Sequence, residues 1–369
     1  MPELFLGLMS GTSLDGVDAV LADFSVEPPR VVGHASLPFS LELRSELLAL
    51  NTAGPNELHR AALAGNSLMR VYTAAVQTLL ADTGTQASAL RAIGAHGQTV
   101  RHRPGEFDDV GYTLQINNPS LVAELTGICV VADFRSRDLA AGGQGAPLVP
   151  GFHRALFARD EQAVAVLNIG GISNLSLLPA GEGTVLGFDC GPGNALLDHW
   201  CQSHIGQPFD TGGRWAATGR VLPDLLSRCL ADAYFAKSPP KSTGRDLFNP
   251  SWLAARLGGA AAQPADVQAT LAELTALVCA TELQRHGEGI GLLIVCGGGA
   301  LNDHLMTRLR ALLPGMQVLS SAERGLPPQQ VEAAAFAWLA RSTMRRESGN
   351  LASVTGARGA RVLGAIYPA

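Results

Sequence analysis

A short turn rich in glycine and hydroxyl side chains occurs twice in this chain, each time between two apolar, β-branched runs. The first turn covers residues 10–16 and the second covers residues 170–174. Because small side chains leave backbone N–H groups uncovered, and successive N–H groups form nests for anions, each turn is predicted to bind phosphate. Two such hairpins facing each other would hold a polyphosphate from both sides. The flanking runs cover residues 4–9 and 17–24 around the first turn, and 163–169 and 175–178 around the second.

The chain that follows each turn argues against a P-loop. A P-loop leads from a strand into a helix and carries a lysine, whereas a second strand is predicted after both turns. The sequence has two lysines, Lys237 and Lys241, and neither follows a glycine-rich loop. A nucleotide bound at these turns would therefore be held by backbone groups and hydroxyls.

Length and composition are typical of a globular enzyme. The 369 residues suffice for two domains, and the 47% hydrophobic and 16% charged content predicts large buried cores. A net charge of −5 without a basic run argues against nucleic acid as a partner. No apolar run reaches the ~18 residues of a membrane span, and the N-terminus lacks the positive charge of a signal peptide. We therefore expect a cytoplasmic protein that binds neither nucleic acid nor membrane.

The order of predicted elements is repeated along the chain. Three strands and a helix follow the first residues, and three strands and a helix return from residue 163. This predicts an α/β fold of two duplicated units. The plan is similar to that of the actin, hexokinase and Hsp70-like ATPases, whose ribonuclease H-like domains enclose ATP in a cleft. The predicted N-terminal domain combines residues 1–130 and 346–369, and the C-terminal domain covers residues 131–345.

Asp189 is the strongest candidate for a catalytic carboxylate. It follows the apolar run 185–188 and precedes a glycine-bearing turn at residues 190–194, so its side chain is expected to reach a cleft with little steric cover. Partial burial would raise the pKa of this carboxyl, and a nearby Mg2+ would lower that pKa. The alternative is an aspartate that caps the helix expected from Ala195, although Asn194 is better placed for that cap.

Two further segments are candidates for binding ATP and its metal. Asp15 is a candidate ligand of Mg2+ through a bound water, because Mg2+ prefers carboxylates, waters and phosphate oxygens. An ordinary turn aspartate is the alternative, and it suits Asp18 better. The glycine run 297–299 would let a flat nucleoside approach the backbone, although a packing turn explains such a run equally well. The residues expected to bind ATP are Gly11, Thr12, Ser13, Leu14, Asp15, Gly16, Val17, Asp18, Gly170, Gly171, Asn174, Gly297, Gly298, Gly299 and Asn302.

The candidates for the acceptor site are the segments around Thr99 and Arg101, the segment with Arg135, Arg137 and Asp138, and Glu332. Arginine can bind a carboxylate through two parallel hydrogen bonds, and the alternative for Arg135 is a solvated ion pair with Asp133 or Asp138. Glu332 begins an otherwise apolar helix, where the helix dipole alone would also favour a carboxylate.

Taken together, these segments resemble the anhydro-N-acetylmuramic acid kinase family. The matching motifs run in order over essentially the whole chain, and their combination is specific although no single motif is. One departure is Cys190, where the family pattern has threonine, but the neighbouring carboxylate and glycines are intact. The motifs are GTSLDGVD (11–18), HGQT (96–99), DFR (133–135), GGQGAP (142–147), NIGG (168–171), GFD (187–189), GPGN (191–194), KSTGR (241–245) and EA (332–333).

The resemblance implies a double reaction on a sugar derived from murein. Asp189 would act as general base on a water that opens the 1,6-anhydro ring, while the released 6-oxygen takes the γ-phosphoryl group of ATP, with Mg2+ as cofactor. Thr99 and Arg135 would bind the lactyl carboxylate, Glu332 a hydroxyl or the N-acetyl group, and His96 would belong to the same sugar site. A role in cell-wall recycling and a homodimer are implied as well.

Three other functions remain open on the residues alone. Another sugar kinase of the same superfold would use Asp189 to deprotonate a substrate hydroxyl directly. A nucleotide switch without catalysis would bind ATP but form no phosphorylated sugar. A glycosidase normally needs two carboxylates that flank the scissile bond, and it would leave the phosphate hairpins unused.

Overall fold

A computed structural model describes residues 2–11, 14–181, 183–259 and 262–369. The chain divides into two units. The first combines Met1–Leu156 with Gln329–Ala369, and the second covers Phe157–Pro328. Each unit has its own mixed β-sheet. Within the described residues, no helix combines the length and the apolar character needed to cross a membrane.

The first unit contains eight of the described strands and seven of the described helices. Its strands are β1 (Leu4–Met9), β2 (Gly16–Asp23), β3 (Arg30–Pro38), β4 (Leu90–Ala95), β5 (Gln98–Pro104), β6 (Gly111–Ile116), β7 (Val130–Ala132) and β13 (Ala365–Tyr367). Its helices are α1 (Leu41–Ala49), α2 (Glu57–Thr83), α3 (Pro119–Thr126), α4 (Ser136–Ala140), α5 (Val149–Phe157), which ends at the border, α11 (Val331–Met344) and α12 (Ala352–Thr355).

The second unit contains the remaining five strands and five helices of the described chain. The strands are β8 (Val164–Ile169), β9 (Ile172–Leu178), β10 (Leu186–Pro192), β11 (Leu292–Cys296) and β12 (Gln317–Ser320). The helices are α6 (Asn194–Ile205), α7 (Pro223–Leu230), α8 (Pro250–Leu257), α9 (Pro264–His286) and α10 (Asp303–Leu312).

The two sheets repeat one topology. The order β3-β2-β1-β4-β7 in the first unit corresponds to β10-β9-β8-β11-β12 in the second. In both sheets, the second strand along the chain (β2 or β9) is antiparallel to its two neighbours. The fourth strand along the chain (β4 or β11) is parallel to the first (β1 or β8). This confirms the predicted α/β class with two duplicated actin-like units. The first unit adds β13 at the edge of its sheet and a separate ribbon of β5 and β6.

The borders of the units differ from the predicted domains. Residues 131–156 and 329–345 belong to the first unit rather than to the second. Two contacts explain this: β7 pairs with β4 at residues 130–132, and α11 packs against β1, β2 and β4. Neither contact is visible as a composition change in the sequence.

The central strands of the first unit's sheet are buried on both faces, and their successive side chains point to opposite faces. Leu6 and Leu8 of β1 belong to a core shared with α2, in which Leu68 and Tyr72 are fully buried. Gly7 of β1 faces the backbone of α11 on the opposite side. Glycine is required there because a Cβ atom would lie 1.8 Å from the carbonyl oxygen of Ala333.

Gly94 of β4 makes a second close approach to α11, and we expect Gly94→Ala to destabilise the first unit. Its Cβ atom would lie 2.0 Å from the carbonyl oxygen of Phe336, so the helix must move. Overpacking of this kind costs about 1–3 kcal/mol. The free energy of unfolding in urea is measured for the wild type and for Gly94→Ala. Gly54→Ala is the control, because its Cβ atom would meet only the flexible end of Arg60, at 3.3 Å. Equal stability of the two variants would contradict the packing argument.

Candidate active site

The first turn lies beside the HGQT motif. The hydroxyl of Ser10 is 2.8 Å from the hydroxyl of Tyr72 and donates to the carbonyl of Gly97 at 3.1 Å. The side-chain amide of Gln98 donates to the carbonyl of Gly11 at 3.2 Å. These contacts form because β1 and β4 are parallel neighbours, so the residues that follow them leave the same edge of the sheet.

The described part of the first turn combines a buried anchor with an exposed carboxylate. Leu14 is buried in a left-handed conformation, with φ of 59°. Asp15 is exposed, and its Oδ1 atom lies 3.7 Å from the guanidinium of Arg44. The predicted ATP-binding residues Thr12 and Ser13 lie outside the described residues. Gly16 and Val17 lie in β2.

Arg135 is held by two groups of the first unit. Its Nε and Nη2 atoms lie 3.2 and 2.9 Å from Nε2 of His96, and its Nη1 donates to the carbonyl of Gly145 at 2.8 Å. Burial and the nearby guanidinium hold the pKa of His96 well below its usual range. A neutral imidazole accepts at one nitrogen, so Nε2 of His96 orients the guanidinium. The structure therefore brings two predicted sugar-site residues together.

Thr99 belongs to a row of polar side chains on the β5–β6 ribbon. Nε2 of Gln115 donates to the hydroxyls of Thr99 and Thr113, at 3.2 and 2.7 Å, and the Thr113 hydroxyl is 3.1 Å from Nδ1 of His102. The β5–β6 register shifts between Thr99 and Arg101. Without this bulge, strict alternation would place Arg101 beside Thr99. With it, His102 joins the row, while Arg101 binds Glu57 at 2.6 Å instead.

We expect His102→Asn to reduce the loss of stability on acidification. Burial, with a contribution from Arg135, lowers the pKa of His102 to about 4. The unfolded chain therefore takes up a proton as pH falls below ~6.5 while the folded state does not, so stability falls between pH 6.5 and 4. The drop in free energy of unfolding from pH 7 to pH 5 should be smaller in His102→Asn by about 1–2 kcal/mol. Urea titrations at the two pH values measure this difference, and the control is His59→Asn, because His59 is exposed. If His102→Asn lost as much free energy of unfolding as the wild type, the lowered pKa of His102 would be contradicted.

Glu332 lies in the first turn of α11 and is partly buried. One helical turn later, the ring of Phe336 lies 4.7 Å from the ring of His96 and 5.6 Å from that of Phe134. Residues four apart share a helix face, so Glu332 lies on the face of α11 that meets the HGQT and DFR motifs.

Asp189 lies inside β10 rather than after its strand, because β10 continues past a bulge to residue 192. Its side chain is almost completely buried, with 7% exposure. Its Oδ2 atom accepts the backbone N–H of Thr243 at 2.9 Å, and its carbonyl accepts the hydroxyl of Tyr234 at 2.8 Å. Burial raises the pKa of Tyr234, so this hydroxyl remains a donor. The carboxylate is thus fixed by a main-chain donor.

The capping alternative for Asp189 is wrong, and so is the cap expected from Asn194. Helix α6 begins at Asn194, and its N-cap is Gly193, which makes no side-chain cap. The side chain of Asn194 donates instead to the carbonyl of Ile169 at 3.2 Å.

A polar row crosses the sheet of the second unit beside Asp189. Asp189 is paired with Asn174 of β9, and Asn174 with Asn168 of β8. Residues directly opposite in antiparallel strands share a face. Oδ1 of Asn174 is buried and has no hydrogen-bond partner among the described residues. A donor on a bound ligand would satisfy this acceptor.

The second turn is anchored on the start of α6. The carbonyl of Gly170 accepts the N–H of Asn194 at 2.8 Å, and that of Gly171 accepts the N–H of Ala195 at 3.2 Å. The glycine run packs on the same segment: a Cβ atom on Gly297 would lie 2.5 Å from Oδ1 of Asn168, and Gly299 lies against Ile169. Gly298 is exposed. The glycine run therefore packs beside the second turn in the second unit.

Two predicted ATP-binding residues have structural partners of their own. Oδ1 of Asn302 caps α10 by accepting the N–H of Leu305 at 2.9 Å. Asp18 lies 3.1 Å from Nε2 of His34 on the neighbouring strand. A nucleotide contact from either residue remains a prediction.

Three residues of these sites were not among the predicted ones. Asn168 is the last residue but one of a buried strand and belongs to a motif already noted, and this position was the available signal. His102 joins its row through a bulge, which leaves no signal in side-chain chemistry. Thr243 belongs to the KSTGR motif already noted, but it contributes a backbone N–H, which no side chain signals.

Comparison with known proteins identifies close relatives. A family model described as anhydro-N-acetylmuramic acid kinase matches residues 3–369. A protein of Variovorax paradoxus with that name is 74% identical over 372 residues, covering 100% of this chain and 99% of the relative. Its namesake in Albidiferax ferrireducens is 61% identical over 389 residues, covering 100% of both. The one in Cupriavidus pinatubonensis is 59% identical over 369 residues, covering 99% of this chain and 98% of the relative.

Proposed function

The chain belongs to the anhydro-N-acetylmuramic acid kinase family, and on this premise we propose the reaction that it catalyses. The substrates are 1,6-anhydro-N-acetylmuramic acid, water and ATP, and the products are N-acetylmuramic acid 6-phosphate and ADP. Water attacks the anomeric carbon, the bond from that carbon to the 6-oxygen breaks, and the 6-oxygen takes the γ-phosphoryl group. The reaction serves the recycling of murein and the catabolism of its amino sugars.

Asp189 is the general base in this proposal. The observation that carries the assignment is its nearly buried carboxylate, with one oxygen bound to the N–H of Thr243. A base fixed in this way would remove the proton from the attacking water while the carbon–oxygen bond forms. Orientation matters because phosphoryl transfer depends on positioning and on charge neutralisation more than on covalent catalysis.

The two turns are the proposed phosphate-binding segments, and Gly297–Gly299 with Asn174 would contact the rest of ATP. For the metal, the exposed carboxylate of Asp15 fits Mg2+ bound mainly through ATP, because Mg2+ usually takes one or two carboxylates together with substrate phosphates and waters. No group of three or more His, Cys, Asp or Glu in the described part of the chain could hold a metal by itself. When bound, Mg2+ supplies charge neutralisation at the phosphates.

Arg135 is the proposed partner of the lactyl carboxylate, with Thr99 beside it. Support comes from its guanidinium, which His96 and Gly145 already orient, so less conformational freedom is lost when a carboxylate binds. Glu332 would accept a hydroxyl or the N-acetyl N–H of the sugar. From the family relation we further propose a homodimer that works in the cytoplasm.

Mass spectrometry of the product formed in 18O-labelled water tests the reaction. The purified protein is incubated with MgATP and 1,6-anhydro-N-acetylmuramic acid. A phosphorylated sugar with one 18O at the anomeric carbon is the expected product. A phosphorylated sugar with its anhydro ring intact would instead identify an ordinary sugar kinase, and the absence of any product despite ATP binding would favour a nucleotide switch.

A further inference from the structure

One member of a buried ion pair in the second unit belongs to the segment 241–243, which contacts Asp189. Nζ of Lys241 is 3.3 Å from Oε1 of Glu282 in α9, and the side chains are only 2% and 4% exposed. The ammonium also lies over the rings of Tyr234 and Phe188, 5.1 and 5.7 Å from their centroids. Buried charges of this kind require partners, and Lys241 has both an anion and two aromatic faces.

The same lysine carries the backbone that contacts Asp189. The N–H of Asp189 donates to the carbonyl of Lys241 at 3.1 Å, and the N–H of Thr243 donates to Oδ2 of Asp189 at 2.9 Å. Residues 241–243 thus bind the aspartate at its main chain and at its carboxylate. These residues lie in no helix or strand, so their position depends on anchors such as the side chain of Lys241.

We propose that the Lys241–Glu282 ion pair positions the carboxylate of Asp189. The ion pair acts indirectly, by holding the backbone of residues 241–243 in place. The inference rests on the proposed role of Asp189 as general base. Glu282 is suited to this task because α9 is a long, largely buried helix, and Arg285 and His286 also contact its carboxylate, at 3.2 and 3.5 Å. Tyr234, which contacts both Lys241 and the carbonyl of Asp189, completes the link.

The test neutralises both charges at once, because removing one partner would leave the other buried and unpaired. The variant is Lys241→Met/Glu282→Gln. Its control is Arg308→Met/Glu273→Gln, which neutralises an ion pair of 2.6 Å between α10 and the same helix α9, in the same unit. Two readouts are compared: kcat with the KM values for sugar and ATP, and the hydrogen exchange rates of the Asp189 and Thr243 amides.

We expect the Lys241→Met/Glu282→Gln variant to lose kcat by about 10- to 100-fold, the scale of a small misplacement of a catalytic group. Both KM values should stay within about threefold of wild type, and the two amides should exchange at least tenfold faster. The acid limb of the kcat profile should also move to higher pH, because loss of the Thr243 donor removes a hydrogen bond that favours the carboxylate. The control variant should change none of these.

Unchanged kcat and unchanged exchange would overturn the proposal, as would a loss of kcat matched by the control. If the neutral pair does not fold, Lys241→Met alone is measured in the same way, because the Glu282 carboxylate then keeps Arg285 and His286 as partners. Asp189→Asn is assayed in parallel to separate failure of this inference from failure of the proposed function. Full activity of Asp189→Asn would exclude Asp189 as the base. Hydrogen exchange at residues 189 and 243 would still test the anchoring by the ion pair, because that measurement needs no turnover.

Discussion

Asp189→Asn is expected to lower kcat by about 10³- to 10⁴-fold while the affinity for ATP stays at the wild-type value. General base catalysis contributes roughly 10²- to 10⁴-fold, and this reaction needs a base to activate a water. Asparagine has the size of aspartate and keeps an oxygen that accepts the N–H of Thr243, so the surroundings should remain intact. What the variant loses is the capacity to take a proton near neutral pH.

The measurement is single-turnover phosphorylation of the sugar, combined with calorimetric titration of ATP. Asp224→Asn is the control, since Asp224 is an exposed carboxylate in the first turn of α7 in the same unit. Retention of more than a tenth of the wild-type rate by Asp189→Asn would exclude Asp189 as the base. A parallel loss of ATP affinity would point to a role in nucleotide binding instead.

The sequence predicted the sheets well because their signals are local. Apolar runs interrupted by glycine turns indicate buried strands, and the repeated order of strands and helix predicted the duplication that both sheets display. The borders between units were harder to predict. Helix α11 is apolar and would suit either unit. Its position is decided by Gly7 of β1 and Gly94 of β4, which let the helix backbone approach these two strands although both are far from the helix in sequence.

The candidate sites depend more strongly on contacts between residues far apart in sequence. Asp189, Arg135 and His96 were recognised from their motifs, but the contacts that orient Asp189 and Arg135 were not predicted. Thr243 is 54 residues from Asp189, and His96 is 39 residues from Arg135. Register is a second obstacle, since one bulge in β5 turns His102 rather than Arg101 toward the row of Thr99. Local periodicity carries no information on either kind of contact.

Arg135→Met is expected to lower kcat/KM for the anhydro sugar by about 10²-fold, mainly through a higher KM for the sugar. A charge-assisted pair that loses one partner costs about 2–5 kcal/mol, and each 1.4 kcal/mol is a factor of ten. Arg137→Met is the matched control, since Arg137 is exposed and two residues away. The KM for ATP should be unchanged in both variants.

A substrate with its lactyl carboxyl converted to an amide identifies what Arg135 recognises. If the guanidinium binds the lactyl carboxylate, wild type and Arg135→Met should process this neutral sugar with kcat/KM values within about threefold, because the charge-assisted bond is absent in both cases. A 10²-fold difference that persists on the amide would show that Arg135 acts elsewhere in the site. Because His96 and Gly145 hold the guanidinium through all three of its nitrogens, Arg135→Lys should rescue little, since an ammonium cannot reproduce that planar arrangement.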